Sequence, residues 1–236
     1  MAGVSVWTMT SPRTPSVLIL LGGMVLAVAL APILILPVRE QLHVNCQYGT
    51  MGEAAGSWMC ADGIGYLMPG VGILVGSILA LLLALLVVLL SARVAPRDAA
   101  TTARILAPAP VLWVGLVTGA TTLRSDPLPP QSSWPALWWE TVGIAVLISA
   151  AGAVLLALAT TTGAASRRSG ADRGSGRGAR RALPVVGAAI GAVLLVAGGL
   201  LQPGLMHAVA ASSALIAVAW IVGVFPLAEQ PGLRAA

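Results

Sequence analysis

Between Ala182 and Ala228 the chain runs for 47 residues without a formal charge, and between Gly63 and Ala92 for 30. A helix on a water-soluble protein needs a polar face, so runs of this length have no place in a soluble fold. Lipid is the solvent that suits them, since about 20 apolar residues in a helix cross the hydrocarbon core. The composition agrees, with 58% hydrophobic and only 9% charged residues, too little charge to cover a soluble surface.

The first uncharged run, Val17 to Val38, predicts one span with a kink near Pro32. Ala29-Leu30-Ala31 also has the small-x-small pattern of a signal-peptide cleavage site. The apolar run continues past it through Ile33, Leu34, Ile35 and Leu36, and Pro32 directly follows the cut, so an uncleaved helix is the reading adopted. The run from Gly63 exceeds one bilayer thickness. Its start (Gly63, Gly65, Tyr66, Pro69, Gly70) is therefore expected to be interfacial or irregular, with the regular helix following Pro69.

The third span, Ile105 to Leu123, is the shortest and carries Pro108 and Pro110 near its start, where first-turn amides lack helical partners anyway. The fourth runs from Thr141 to about Gly163. Trp134, Trp138 and Trp139 precede it as interfacial anchors, and the spacing of Trp134 and Trp138 predicts a short helix lying on the outer leaflet. Gln202-Pro203-Gly204 breaks the last run into two helices, about 183–201 and 207–227.

The expected architecture is an all-α integral membrane protein with six transmembrane helices in a 4+2 arrangement. It divides into a tail (1–16), a four-helix membrane part (17–163) with outside loops 39–62 and 124–140, an Arg-rich linker (164–182), a C-terminal transmembrane hairpin (183–228) and a tail (229–236). On this count one side of the membrane carries 11 arginines against three acids, and the other only Arg39 and Arg124 against five acids. The positive-inside rule then places both termini in the cytoplasm.

Arg167, Arg168, Arg173, Arg177, Arg180 and Arg181 form the densest basic stretch, spaced by Gly, Ser and Ala. They read as a flexible linker that sets topology and attracts anionic lipid head groups by ~1 kcal/mol per arginine. Bases confined to short loops between apolar runs argue against nucleic acid as a partner. All 13 basic residues are Arg, and Ala, Gly and Pro are abundant, which fits G+C-rich codons and a bacterial plasma membrane as the location.

Few residues carry chemistry. Cys46 and Cys60 fall in the first outside loop, where a disulfide persists, and closing a loop of that size is worth ~3 kcal/mol. A redox pair, or a metal site with His43, Met51 and Met59, is the sharper alternative, although the cysteines are not in C-x-x-C spacing. His207 is expected at the interface, capping or turning the last hairpin. Ser77, Ser149, Ser212 and Ser213 lack a nucleophile-elbow context.

No ionisable residue is expected in the middle of a span, which removes the usual mark of proton- or ion-coupled transport. Coupling through hydroxyls would fall to Thr118, Thr121 and Thr122. Small-xxx-small pairs (Gly72/Gly76, Gly115/Gly119, Gly187/Gly191) favour close helix packing. The functional expectation is a non-enzymatic scaffold or accessory subunit, without cofactor or metal, packing with itself or with other membrane proteins. The alternative is the membrane component of a transporter powered by a separate ATPase. It would need a cytoplasmic docking element, and neither 93–104 nor the arginine stretch reads as an amphipathic helix.

Overall fold

The computed structural model describes residues 13–34, 37–90, 96–123, 133–168 and 177–224. The chain is mostly helical, and six of its helical stretches are long and apolar enough to cross a membrane: Thr14–Gln41, Ile64–Leu90, Ala99–Thr122, Trp134–Thr161, Pro184–Leu201 and Pro203–Val222.

The first span is α1 (Arg13–Leu30), followed by a 3-10 turn (Ala31–Leu34) and a π turn (Pro37–Gln41). The expected kink at Pro32 takes the form of this change of helix type. A proline removes the amide that a regular α-helix would use, and a tighter turn is one way to go on without it.

The mostly helical chain also carries one small hairpin that the all-α expectation left out. Strands β1 (Cys46–Tyr48) and β2 (Trp58–Cys60) pair antiparallel, with Cys46 opposite Cys60, Gln47 opposite Met59 and Tyr48 opposite Trp58. Their aromatic side chains suit a strand. The connection needs Gly52 and Gly56, which take φ of +73° and +83°.

Helix α2 (Gly63–Leu90) is helical from its first residue, so the irregular start expected before Pro69 is not found. Pro69 leaves the Gly65 carbonyl without its helical donor, and the Asn45 side chain supplies one, Nδ2 to O at 2.6 Å. The third span begins earlier than expected, because 96–104 is also helical: α3 (Pro96–Leu106) joins α4 (Ala109–Thr122) at a break before Pro108. Helix α3 is amphipathic after all. Its alanines Ala99, Ala100 and Ala103 are buried, and the helix packs against α8 (Met206–Val224).

The tryptophan segment does not form a separate surface helix. Helix α5 (Trp134–Trp138) leads through a π turn (Trp139–Gly143) directly into α6 (Ile144–Arg168), making one span. Helix α7 (Arg177–Leu201) follows, and Gln202 with a 3-10 turn (Pro203–Leu205) turns the chain into α8. Helical backbone thus takes up Arg167, Arg168, Arg177, Arg180 and Arg181 of the expected linker. Residues 169–176, with Arg173, lie outside the described residues, as do 1–12, 124–132 and 225–236.

Packing does not follow the order of spans along the chain. Helix α8 contacts α1, α2, α3, α4 and α6, and 56% of its span is buried, against 22% for α7, which lies mainly on α6. Small residues make this possible. A Cβ on Gly23 of α1 would stand 2.7 Å from the Cβ of Ala214 in α8. At the α6–α7 crossing, a Cβ on Gly152 would stand 2.7 Å from the Gly191 carbonyl oxygen, and one on Gly191 would stand 2.9 Å from the Gly152 carbonyl oxygen. In lipid, such backbone approach supplies the packing that the hydrophobic effect cannot.

The other glycine pairs behave differently. Gly76 makes room for the indole of Trp113, whose Nε1 donates to the Gly72 carbonyl at 2.9 Å. Gly115 faces Val146, and Gly187 faces open space.

Candidate functional site

The chemically richest place is the β hairpin at one end of the bundle. Two residues in left-handed backbone lead into it, His43 (φ 48°) and Asn45 (φ 57°), types that tolerate this region better than most. The turn is held by the Cys46 amide donating to the His43 carbonyl (3.1 Å) and the Val44 amide to the Val38 carbonyl (3.2 Å). The Ala61 amide donates to the Asn45 carbonyl (3.1 Å) at the other end. This scaffold brings Cys46 and Cys60 together as a disulfide with an S–S distance of 2.07 Å.

Aromatic rings cluster on the hairpin. His43 stacks on Trp58 (centroids 4.2 Å apart, 6° between planes), Tyr48 meets Trp58 edge-on (5.2 Å), and Trp134 approaches it from the start of α5 (6.5 Å). Below the bridge, the buried Tyr66 hydroxyl lies 3.4 Å from Cys46 Sγ. A disulfide sulfur carries no hydrogen, so the hydroxyl donates. The Arg39 guanidinium sits 5.9 Å above the Tyr66 ring. Burial lowers the His43 pKa below its ordinary value and favours the neutral imidazole. A ring nitrogen of His43 lies within 4.8 Å of both sulfurs, so three of the residues weighed in the sequence as a redox or metal group are brought together. Met51 and Met59 of that group are exposed.

A second set of polar groups joins this cap to the bundle. Gln202 is buried, and its Nε2 donates to Gln41 Oε1 (2.8 Å) and to the Thr141 carbonyl (3.0 Å), tying spans one and four to the turn between spans five and six. In the sequence it is legible only as part of a helix breaker. Gln202, Thr118, Val114 and Leu205 are among the residues lining a cavity of about 10 Å³. That is space for roughly one water molecule. The Oε1 of Gln202 has no partner.

Comparison with protein families, curated proteins and solved structures finds no match.

The remaining candidates divide as follows. Trp138 is half-buried: its Nε1 donates to Thr118 Oγ1 (3.0 Å) and its ring packs beside Gly119, so it ties α5 to α4. Trp139 is 47% exposed, and Trp134 faces the hairpin. His207 is fully buried, with Nδ1 2.9 Å from the Gly204 carbonyl, so it does hold the turn, but from inside the protein. Ser149 donates to the Leu195 carbonyl (3.5 Å) and Ser213 to Val209 (2.8 Å), which commits both hydroxyls to backbone. Thr118, Thr121 and Thr122 likewise donate to carbonyls one turn earlier in α4.

The sequence starts the third span at Ile105, but Arg104 falls inside it. Its Nε donates to Thr160 Oγ1 (2.9 Å) and its Nη2 reaches the Thr160 carbonyl (3.4 Å). Such a pairing satisfies a guanidinium that a helix carries toward lipid.

Proposed function

We propose that this protein is a non-enzymatic, multi-pass scaffold or accessory subunit of a bacterial plasma membrane, with both termini cytoplasmic and the disulfide hairpin outside. Supporting this, three polar side chains serve as ties between elements: Trp138 to Thr118, Arg104 to Thr160, Gln202 to Gln41. The observation that carries the reading is the outer face of α7. Val185, Val186, Ile190, Val193, Val196 and Leu200 are all exposed there, on a helix held to the rest mainly through α6. That face is a continuous apolar stripe open to lipid or to another membrane helix.

Cross-linking of a Val193→Cys variant in native membranes tests the idea, since both native cysteines are already paired. A cross-linked homodimer or a cross-link to another membrane protein is expected. Monomer alone, together with co-purification of a nucleotide-binding subunit, would replace this reading with the transporter component. Helix α3 favours that alternative to a degree: it supplies an amphipathic helix next to the expected cytoplasmic loop.

A further inference from the structure

We propose that Cys46–Cys60 is a redox-active pair, which accepts two electrons from a dithiol presented on the same face of the membrane. This goes beyond the packing role proposed above and does not depend on it; it would add a thiol-exchange activity to a chain proposed there to be non-enzymatic.

The two sulfurs are unequal. Cys46 is buried, and the Tyr66 hydroxyl is directed at its Sγ from 3.4 Å. Cys60 is only half-buried, on the second strand of a two-stranded hairpin with no further strand beside it among the described residues. An incoming thiolate therefore reaches Cys60 first. Attack there forms a bond from the donor sulfur to Cys60 Sγ and breaks the Cys46–Cys60 bond, and the bonding electron pair leaves on Cys46 as a thiolate. Exchange is faster when the leaving thiolate is stabilised, and the Tyr66 hydroxyl is already placed to donate to it.

The donor's second thiolate then attacks the donor sulfur of the mixed disulfide and expels Cys60. The products are the donor disulfide and two protein thiols. The two protons lost by the donor equal the two gained by Cys46 and Cys60, so the exchange is balanced without another reactant. His43 is placed to carry these protons, with a ring nitrogen within 4.8 Å of both sulfurs and an Nδ1 that has no hydrogen-bond partner.

The hairpin is also built to survive opening. Strand pairing, the His43–Trp58 stack and the Asn45–Gly65 hydrogen bond hold both cysteines in register without the covalent bond. A bridge that only stapled a loop would need none of the asymmetry at its sulfurs.

The test uses the full chain in mild detergent. Reduction by dithiothreitol is followed by alkylation and mass shift, circular dichroism reports the helices, and glutathione serves as a monothiol probe whose adduct is mapped to one cysteine. The expected results are reduction without loss of helix, a glutathione adduct on Cys60, and rates slower on the order of tenfold in Tyr66→Phe. His43→Asn should also be slower. Reduction only after denaturation, an adduct on Cys46 or on both cysteines equally, or an unchanged rate in a folded Tyr66→Phe variant would overturn the proposal. Should Tyr66→Phe fail to fold, the adduct position in the unmodified protein decides alone.

Discussion

Asn45 and Gly65, twenty residues apart in the chain, are joined by a hydrogen bond of 2.6 Å at the carbonyl that Pro69 leaves without a helical donor. The pairing lets α2 run as a helix from Gly63 although a proline lies in its second turn, and it fastens the hairpin to the same helix.

Replacing Asn45 with Gly keeps the left-handed backbone and deletes only the amide. The expected loss is about 1 kcal/mol, the usual net worth of one hydrogen bond. In a Pro69→Ala background the residue 69 amide can serve Gly65, and the same replacement should then cost much less. A thermal-unfolding double-mutant cycle in detergent measures the difference, and equal costs in both backgrounds would contradict the pairing.

Gly191→Leu forces a side chain into the Gly152 backbone of α6. Overpacking of this kind costs ~1–3 kcal/mol. Gly187→Leu, whose added carbon meets open space, should be nearly neutral. Comparing the two in limited proteolysis separates a specific crossing from general intolerance of bulk in α7, and similar sensitivity in both would speak for the latter.

Trp138→Phe keeps a ring beside Gly119 but removes the donor to Thr118 Oγ1. About 1 kcal/mol should be lost, again one hydrogen bond. Trp139→Phe, at an exposed position, should lose less. Equal losses in melting experiments would mean that both tryptophans act only through the interface with lipid.

Stability should fall as the pH falls past the ordinary imidazole range. Burial lowers the folded-state pKa of His43, so the unfolded chain takes up its proton first on acidification. The contribution of the neutral ring is complete above the unfolded value of 6.5 and disappears as pH drops through the folded one. His43→Asn should flatten this part of a stability–pH profile; an unchanged slope would assign it to other groups.

The six spans are legible because crossing lipid needs a length of uncharged chain that the eye can measure, and the Cys46–Cys60 pairing because two cysteines permit one intramolecular bridge. What the sequence hides are partners distant along the chain. Nothing around Pro69 announces Asn45, and nothing around Trp138 announces Thr118. The β strands have three residues each, too short for an alternating pattern to show. Helix α3 is hard to see because Arg97, Asp98 and Arg104 make its eleven residues read as a polar link, while the face it packs on α8 is alanine. Gln202 looked like part of a breaker, since the polar ends it meets, Gln41 and Thr141, belong to other spans.

Among the six spans of the described residues, the one formed by α8 is synthesised last, and the others surround it. Until it has entered the membrane, the five earlier spans hold small-residue faces, Gly23 among them, with nothing seated between them. Assembly therefore has a late commitment step. A chain cut short before α8 is expected to leave the centre of the bundle vacant, and limited proteolysis in membranes should then cleave it faster than the full chain.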